Sequence, residues 1–142
     1  MRNEFALIDA ITRGLGDRAA GEWVAVGPGD DAAVISTTSN FKQIASIDTL
    51  LPDVHFPAKA PPELIGYRAL MVSFSDLAAM RGVPRYCLVS LSIDKSQLAL
   101  GVDWLVLLAR GMADAAQELG IYVCGGNLTR GPLNIAVSVH GE

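Results

Sequence analysis

The residues in this sequence best suited to do chemistry are aspartates. Asp30 and Asp31 stand together where the turn Val26-Gly27-Pro28-Gly29 leads into the apolar run Ala32-Ala33-Val34-Ile35. Adjacent acids on a tight turn repel each other unless a cation sits near them or water solvates them well. Asp48 lies in Ala45-Ser46-Ile47-Asp48-Thr49, and Asp76 in Val72-Ser73-Phe74-Ser75-Asp76-Leu77-Ala78-Ala79. Asp76 is the only charged residue between Ala69 and Met80. A carboxylate in so apolar a helix is costly unless it is paired or bound to metal. Asp31, Asp48 and Asp76, helped by Ser46 and Thr49, would form an oxygen-rich nest, and such ligands suit Mg²⁺. The matching chemistry is metal-assisted phosphoryl transfer. Cations clamp a polyphosphate and neutralise developing charge, and no protein nucleophile is required.

Each of these residues also has a plainer use. An Asp-Asp pair alone is more often a solvated turn or an Asx cap, and Asp48 alone could cap a loop. Asp76 is the hardest of the three to explain by structure, and the set is stronger than any member. Gly125-Gly126-Asn127-Leu128-Thr129-Arg130-Gly131-Pro132 follows an apolar run. Glycines there let a backbone approach a phosphate, and Arg130 could pair with it; taken alone, the segment reads as a hairpin turn with a surface arginine. It is no Walker loop, because no Gly-Lys-Ser/Thr follows. His55, in Pro52-Asp53-Val54-His55-Phe56-Pro57, suits either substrate contact or a plain surface position, and spacing does not decide between them. Cys87 and Cys124 fall in apolar runs and read as packing residues.

Those groups need a scaffold. Phe5, Ile8 and Leu15, with Leu7 and Ile11 beside them, predict a first helix ended by Gly14 and Gly16. Asn3 is its expected N-cap, with Glu4 and Asp9 near the positive end of the dipole. Residues 32–35 predict a strand. After a polar turn over 37–40, residues 42–50 predict a second strand, antiparallel to the first because so short a link holds no crossover. That hairpin would bring Asp31 beside Asp48. A loop holding Pro52, Pro57, Pro61 and Pro62 comes next, and Pro62 opens a helix that runs to about Met80. A strand over 85–93 follows, then a helix capped by Ser96 from 97 to 119, with Gly120 at its C-terminal end. A strand over 121–124 is broken by Gly125-Gly126, and a last strand covers 133–139. The order predicts an α+β fold, a mostly antiparallel sheet with helices on one face. Val34-Ile35, Cys87-Leu88-Val89 and Ile135-Ala136-Val137 are apolar on both sides. The second face therefore also needs cover, from a partner subunit or a second domain.

Composition sets the limits. A chain of 142 residues and 15.0 kDa suits one domain with a real core. Hydrophobic residues make up 51%, charged residues 18%, and mean hydropathy is +0.35, which excludes a disordered chain. Lys+Arg of 11 against Asp+Glu of 15 leaves a net charge of −4, which argues against a nucleic-acid binder with a basic face. The longest apolar run, residues 104–109, is too short to span a bilayer, so no membrane segment is expected. Glu4 and Asp9 exclude a secretory h-region over 1–11. Two cysteines make a disulfide framework unexpected and fit a reduced, cytoplasmic setting.

Six motifs then fall into register. Glu4-Phe5-Ala6-Leu7-Ile8, Gly29-Asp30-Asp31-Ala32-Ala33-Val34, Ser46-Ile47-Asp48-Thr49-Leu50, Val54-His55-Phe56, Ser75-Asp76-Leu77-Ala78-Ala79-Met80 and the run from Gly125 to Pro132 occur in the order seen in thiamine-monophosphate kinase. The sequence resembles that family over essentially its whole length. The wider superfamily includes aminoimidazole ribonucleotide synthetase, selenophosphate synthetase and the hydrogenase-maturation carbamoyl dehydratase. The resemblance implies transfer of the γ-phosphoryl group of ATP to thiamine monophosphate, giving thiamine diphosphate and ADP, with Mg²⁺ as cofactor. It also implies a homodimer in which two N-terminal domains pair their sheets into a barrel, as in the aminoimidazole ribonucleotide synthetase fold.

By the same resemblance, Asp31, Ser46, Asp48 and Asp76 are metal ligands, with Asp30 beside them. His55 binds the substrate, and Gly126 and Asn127 meet ATP and metal. Many members read Gly-Gly-Asp where this chain has Gly126-Asn127; asparagine keeps an oxygen ligand but loses a charge, so one metal site is expected to be weaker. Position 47 is Ile where a hydroxyl residue is common, and a ligand contact through its backbone carbonyl would lose little. The family continues past the position of Glu142 into a second domain. Residues 1–142 are therefore expected to form one N-terminal ATP- and Mg²⁺-binding and dimerisation domain that does not turn over alone. Rival readings are another ATP-using synthetase of the superfamily and a non-catalytic dimerisation module. The Val54-His55-Phe56 loop and the Thr129-Arg130-Gly131-Pro132 run favour the kinase.

Overall fold

A computed structural model describes residues 4–37 and 40–142, apart from the side chain of Glu4. The expected Asn3 cap, the Glu4 side chain, and Thr38 and Ser39 of the polar turn lie outside the described residues. Along the chain come α1 (Glu4–Leu15), β1 (Val24–Val26), β2 (Val34–Ile35), β3 (Ile44–Leu50), α2 (Pro62–Ala79), β4 (Pro84–Ile93), α3 (Lys95–Ala99), α4 (Val102–Leu119), β5 (Tyr122–Arg130) and β6 (Asn134–Gly141). Pro62 occupies the first turn of α2, where its missing N–H costs nothing. Gly120, with φ of 67°, closes α4 in the left-handed conformation expected of a C-terminal glycine.

The helix expected from 97 to 119 is two helices, α3 and α4, parted at Gly101, whose φ is 90°. Asp94, not Ser96, caps the first of them. Its carboxylate accepts from the backbone N–H groups of Ser96 and Gln97, and the Gln97 side chain accepts from the Asp94 N–H, completing a capping box. The Ser96 hydroxyl bond holds the Asp94 carboxyl below its usual range.

β3, β6, β4 and β5 form one sheet in that order. β6 pairs antiparallel with both β3 and β4, whereas β4 and β5 run parallel. The sheet is therefore mixed, and its parallel pair follows from the helical crossover between β4 and β5. β5 continues through Gly125-Gly126, where a break was expected, with only a register irregularity against β4 at Cys124. β1 and β2 form a separate small hairpin.

Alternation on β6 buries Ile135, Val137 and Val139 on the face that meets α2. β4 adds Cys87, Leu91 and Ile93 to the same core. From the helices come Ile65, Leu70, Phe74 and Leu77 of α2, and Leu105, Leu108 and Met112 of α4. α1 packs on α4 through Leu7, Ala10 and Leu15, and Phe5 is 71% exposed rather than part of the buried stripe. Cys87 and Cys124 are both buried, as packing residues should be, and burial pushes the Cys124 thiol up to about 12. The opposite face of the sheet places Ile47, Leu88 and Ala136 among Ser90, Ser138 and His140. Ile47 is 68% exposed there. Among the described residues no helix is long and apolar enough to cross a membrane.

Candidate functional site

Two of the expected site residues meet directly. The Ser46 hydroxyl donates to Asp76 Oδ2 at 2.8 Å, joining β3 to the C-terminal part of α2 across 30 residues of chain. The strand supplies the reason on one side. Along β3, Ser46 and Asp48 share the face that ends in buried Leu50, while Ala45, Ile47 and Thr49 are exposed on the other. The helix supplies it on the other. Leu70, Ser73, Phe74 and Leu77 form the buried stripe of α2, and Asp76 falls off that stripe. Asp76 is thus exposed, and solvent removes most of the desolvation cost that the apolar composition of the helix suggested.

Asp30 and Asp31 are placed differently. β2 pairs with β1 and not with β3, so the expected hairpin between residues 32–35 and 42–50 does not form. The physical reason is length: β3 satisfies its backbone along seven positions of β6, from Ile44↔Gly141 to Leu50↔Ile135, while β2 has only two residues to offer. Asp31 is therefore not brought beside Asp48 by strand pairing. The Asp31 N–H donates to Asp30 Oδ1 at 2.8 Å, and both residues are exposed. Together with Gly126 and Asn127 they line an open cavity of about 810 Å³, bounded elsewhere by α1, α4 and the strands. The expected residues thus fall into two groups, one at β3 and α2 and one at this cavity. Among the described residues no three His, Cys, Asp or Glu side chains lie close enough to hold a metal ion by themselves.

The glycine pair answers to the sheet. Gly126 has φ of 155°, and a Cβ there would stand 1.8 Å from the Val89 carbonyl oxygen. Approach of the parallel neighbour β4 therefore demands glycine, whatever else the position does. Gly126→Ala is expected to destabilise the fold by about 2 kcal/mol or more, because the clash is with backbone. Chemical denaturation of the variant against the parent measures this, and an unchanged midpoint would contradict it. Asn127 is exposed and in register with Ser90.

His55 sits in a tightly built loop. Phe56 is buried and anchors it, and an Asp53 N–H to Phe56 O bond of 2.7 Å closes it. Asp53 takes φ of 58°, which aspartate tolerates, and its Oδ1 accepts from the Ala58 N–H. The backbone N–H of Leu51 donates to His55 Nδ1 at 3.0 Å. Arg68 Nε, from α2, donates to the His55 carbonyl oxygen at 2.6 Å.

Sequence reasoning passed over β1 and what holds it. Trp23 Nε1 donates to the Arg85 carbonyl oxygen, its ring meets Tyr122 edge-on at 5.1 Å, and the Arg85 guanidinium lies 4.9 Å above it. Arg85 is also paired with Glu142, and Arg18 lies over the Tyr122 ring. This ladder ties the base of the β1–β2 hairpin, which carries Asp30 and Asp31, to β4 and β5. The run Trp23-Val24-Ala25-Val26 before Gly27-Pro28 was the available strand signal.

Residues 29–142 match the family described as AIR synthase related protein, N-terminal domain. The chain belongs to that family. Among curated relatives, thiamine-monophosphate kinase of Bacillus subtilis (strain 168) is 36% identical over 99% of this chain and 42% of its own length. Among solved structures, thiamine-monophosphate kinase from Stenotrophomonas maltophilia K279a superposes with a TM-score of 0.79 at 36% identity, covering 97% of this chain and 42% of that one. AaThiL complexed with AMPPCP and TMP superposes with a TM-score of 0.67 at 28% identity, covering 99% of this chain and 43% of that one. This AIR synthase related chain thus spans under half the length of the relatives it matches.

Proposed function

We propose that this chain is the N-terminal ATP- and Mg²⁺-binding half of a thiamine-monophosphate kinase. The observation that carries the reading is the end-to-end match of this domain to kinases of that name, one of them held with AMPPCP and TMP. The reaction moves the γ-phosphoryl group of ATP onto the phosphate of thiamine monophosphate. The bond from the γ-phosphorus to the β,γ-bridging oxygen breaks, a new P–O bond forms to the acceptor, and ADP and thiamine diphosphate leave.

The donors present fit Mg²⁺. They are all oxygens, in two groups: the Asp48 and Asp76 carboxylates with the Ser46 hydroxyl at β3 and α2, and the Asp30 and Asp31 carboxylates with the Asn127 amide at the cavity. When bound, Mg²⁺ neutralises phosphate charge and orients the transferring group. The chain's own part is to hold those oxygens and the acceptor in place. Ser46 aims the Asp76 carboxylate through their hydrogen bond, and Asp48 extends the same donor row along β3. Asp30 and Asp31 add two further carboxylates to the lining of the cavity shared with Gly126 and Asn127. His55 contacts the acceptor. A second copy covers the sheet face around exposed Ile47 and half-buried Leu88, giving the homodimer, and the setting is cytoplasmic.

The test is turnover by the enzyme that carries this domain together with its second domain. ATP, Mg²⁺ and thiamine monophosphate should give ADP and thiamine diphosphate in equal amounts. ADP formed only with a different acceptor would replace the kinase by a sister synthetase. Absence of calorimetric heat with both Mg²⁺ and nucleotide would leave a dimerisation module.

A further inference from the structure

We infer that Arg68 is a positioning residue that holds His55 as a one-way hydrogen-bond donor toward the acceptor substrate. The inference rests on the kinase reading for the identity of that substrate, but its structural part stands on the loop alone. A backbone N–H can only donate, so the Leu51 N–H to Nδ1 bond requires Nδ1 to be the unprotonated nitrogen. The ring proton of neutral His55 then sits on Nε2. Among the described residues that nitrogen meets no hydrogen-bond partner, and His55 is exposed. The loop thus turns an imidazole, which can donate or accept at either nitrogen, into a donor at one fixed atom. The group it recognises is a hydrogen-bond acceptor on the substrate, such as a phosphate oxygen or a ring nitrogen.

Arg68 completes the device. Its Nε bond to the His55 carbonyl oxygen is short and charge-assisted, and it reaches back 13 residues from α2 to the loop. Among the described residues Arg68 has no carboxylate partner. Ordering a long exposed side chain costs rotamer entropy, and here that ordering fixes the backbone of exposed His55. The backbone bonds of the loop set the turn, and Arg68 sets where the histidine stands upon it.

Two measurements on the enzyme decide the matter. The first is the nitrogen NMR signature of the His55 ring, assigned by comparison with His55→Asn. At a pH where the ring is neutral, it should show an unprotonated Nδ1 and a protonated Nε2, and Arg68→Ala should shift it toward a mixture of tautomers. The second is steady-state kinetics. Arg68→Ala should raise KM for thiamine monophosphate about ten-fold, the scale of one charge-assisted hydrogen bond, with kcat and KM for ATP within two-fold. Arg68→Lys, which can still donate to the carbonyl, should recover part of the loss. A wild-type ring protonated on Nδ1 would overturn the inference, as would equal damage to both KM values. Failure of the wild-type enzyme to phosphorylate thiamine monophosphate would instead remove the kinase reading, and the tautomer measurement would still decide the loop.

Discussion

Asp76→Asn in the enzyme that carries this domain is expected to lower phosphoryl transfer by about 100-fold or more, the scale seen when one preorganised electrostatic group is removed from a site. The fold should survive. Asp76 is exposed on α2, its neighbours Phe74 and Leu77 make the core contacts, and an asparagine oxygen can still accept from the Ser46 hydroxyl. What the variant loses is the negative charge that a cation between the enzyme and polyphosphate would need. Ser46→Ala should be milder, about 10-fold, because it frees the carboxylate without removing it. Turnover at saturating ATP and acceptor, with a thermal melt of each variant, checks both. Parent-like rates for Asp76→Asn would refute the assignment of Asp76 to the site.

Gly111→Ala should cost about 3 kcal/mol of stability, at the upper end of what overpacking of a core produces. The reason is where α2 crosses α4. A Cβ on Gly111 would lie 1.8 Å from the Glu63 carbonyl oxygen, and one on Gly66 would lie 2.1 Å from the Leu108 carbonyl oxygen. Each helix meets the backbone of the other, so no side-chain rotation relieves the clash. For a domain of this size the melting temperature should fall by roughly 6–12 °C. Gly16→Ala makes a useful contrast. A Cβ there meets nothing within 4 Å, so the main cost is its φ of 54°, a smaller effect. Equal melting of the two variants would mean that the helices do not touch as described.

Much of the scaffold was legible because local rules and tertiary packing agree. Pro62 opens α2, Gly120 closes α4, and the alternation of Ile135, Val137 and Val139 marks a strand with one buried face. Pairing β3 with β2 followed the habit of neighbouring strands, but the long register with β6 satisfies more backbone than a two-residue strand can. Ser96 looked like a cap until Asp94, two residues earlier, took both backbone N–H groups. Apolar neighbours make Asp76 read as a costly carboxylate, although the spacing of Leu70, Ser73, Phe74 and Leu77 already puts it off the buried stripe. The site was harder. Ser46 and Asp76 lie on different elements, and the chemistry of the oxygen donors grouped them although no local rule places one beside the other. Nothing local to Arg68 pointed at His55, because the contact depends on how the proline-rich loop folds back over α2.

The position of β6 has a consequence for how the molecule is made. It is the last of the described strands, yet it lies between β3 and β4 and supplies the antiparallel partner of each. During synthesis the two flanking strands emerge with their facing edges open. The sheet can close only after residue 141 has left the ribosome. Until then those bare edges invite pairing with other nascent chains, so slow translation near the end of this domain should favour aggregation over assembly.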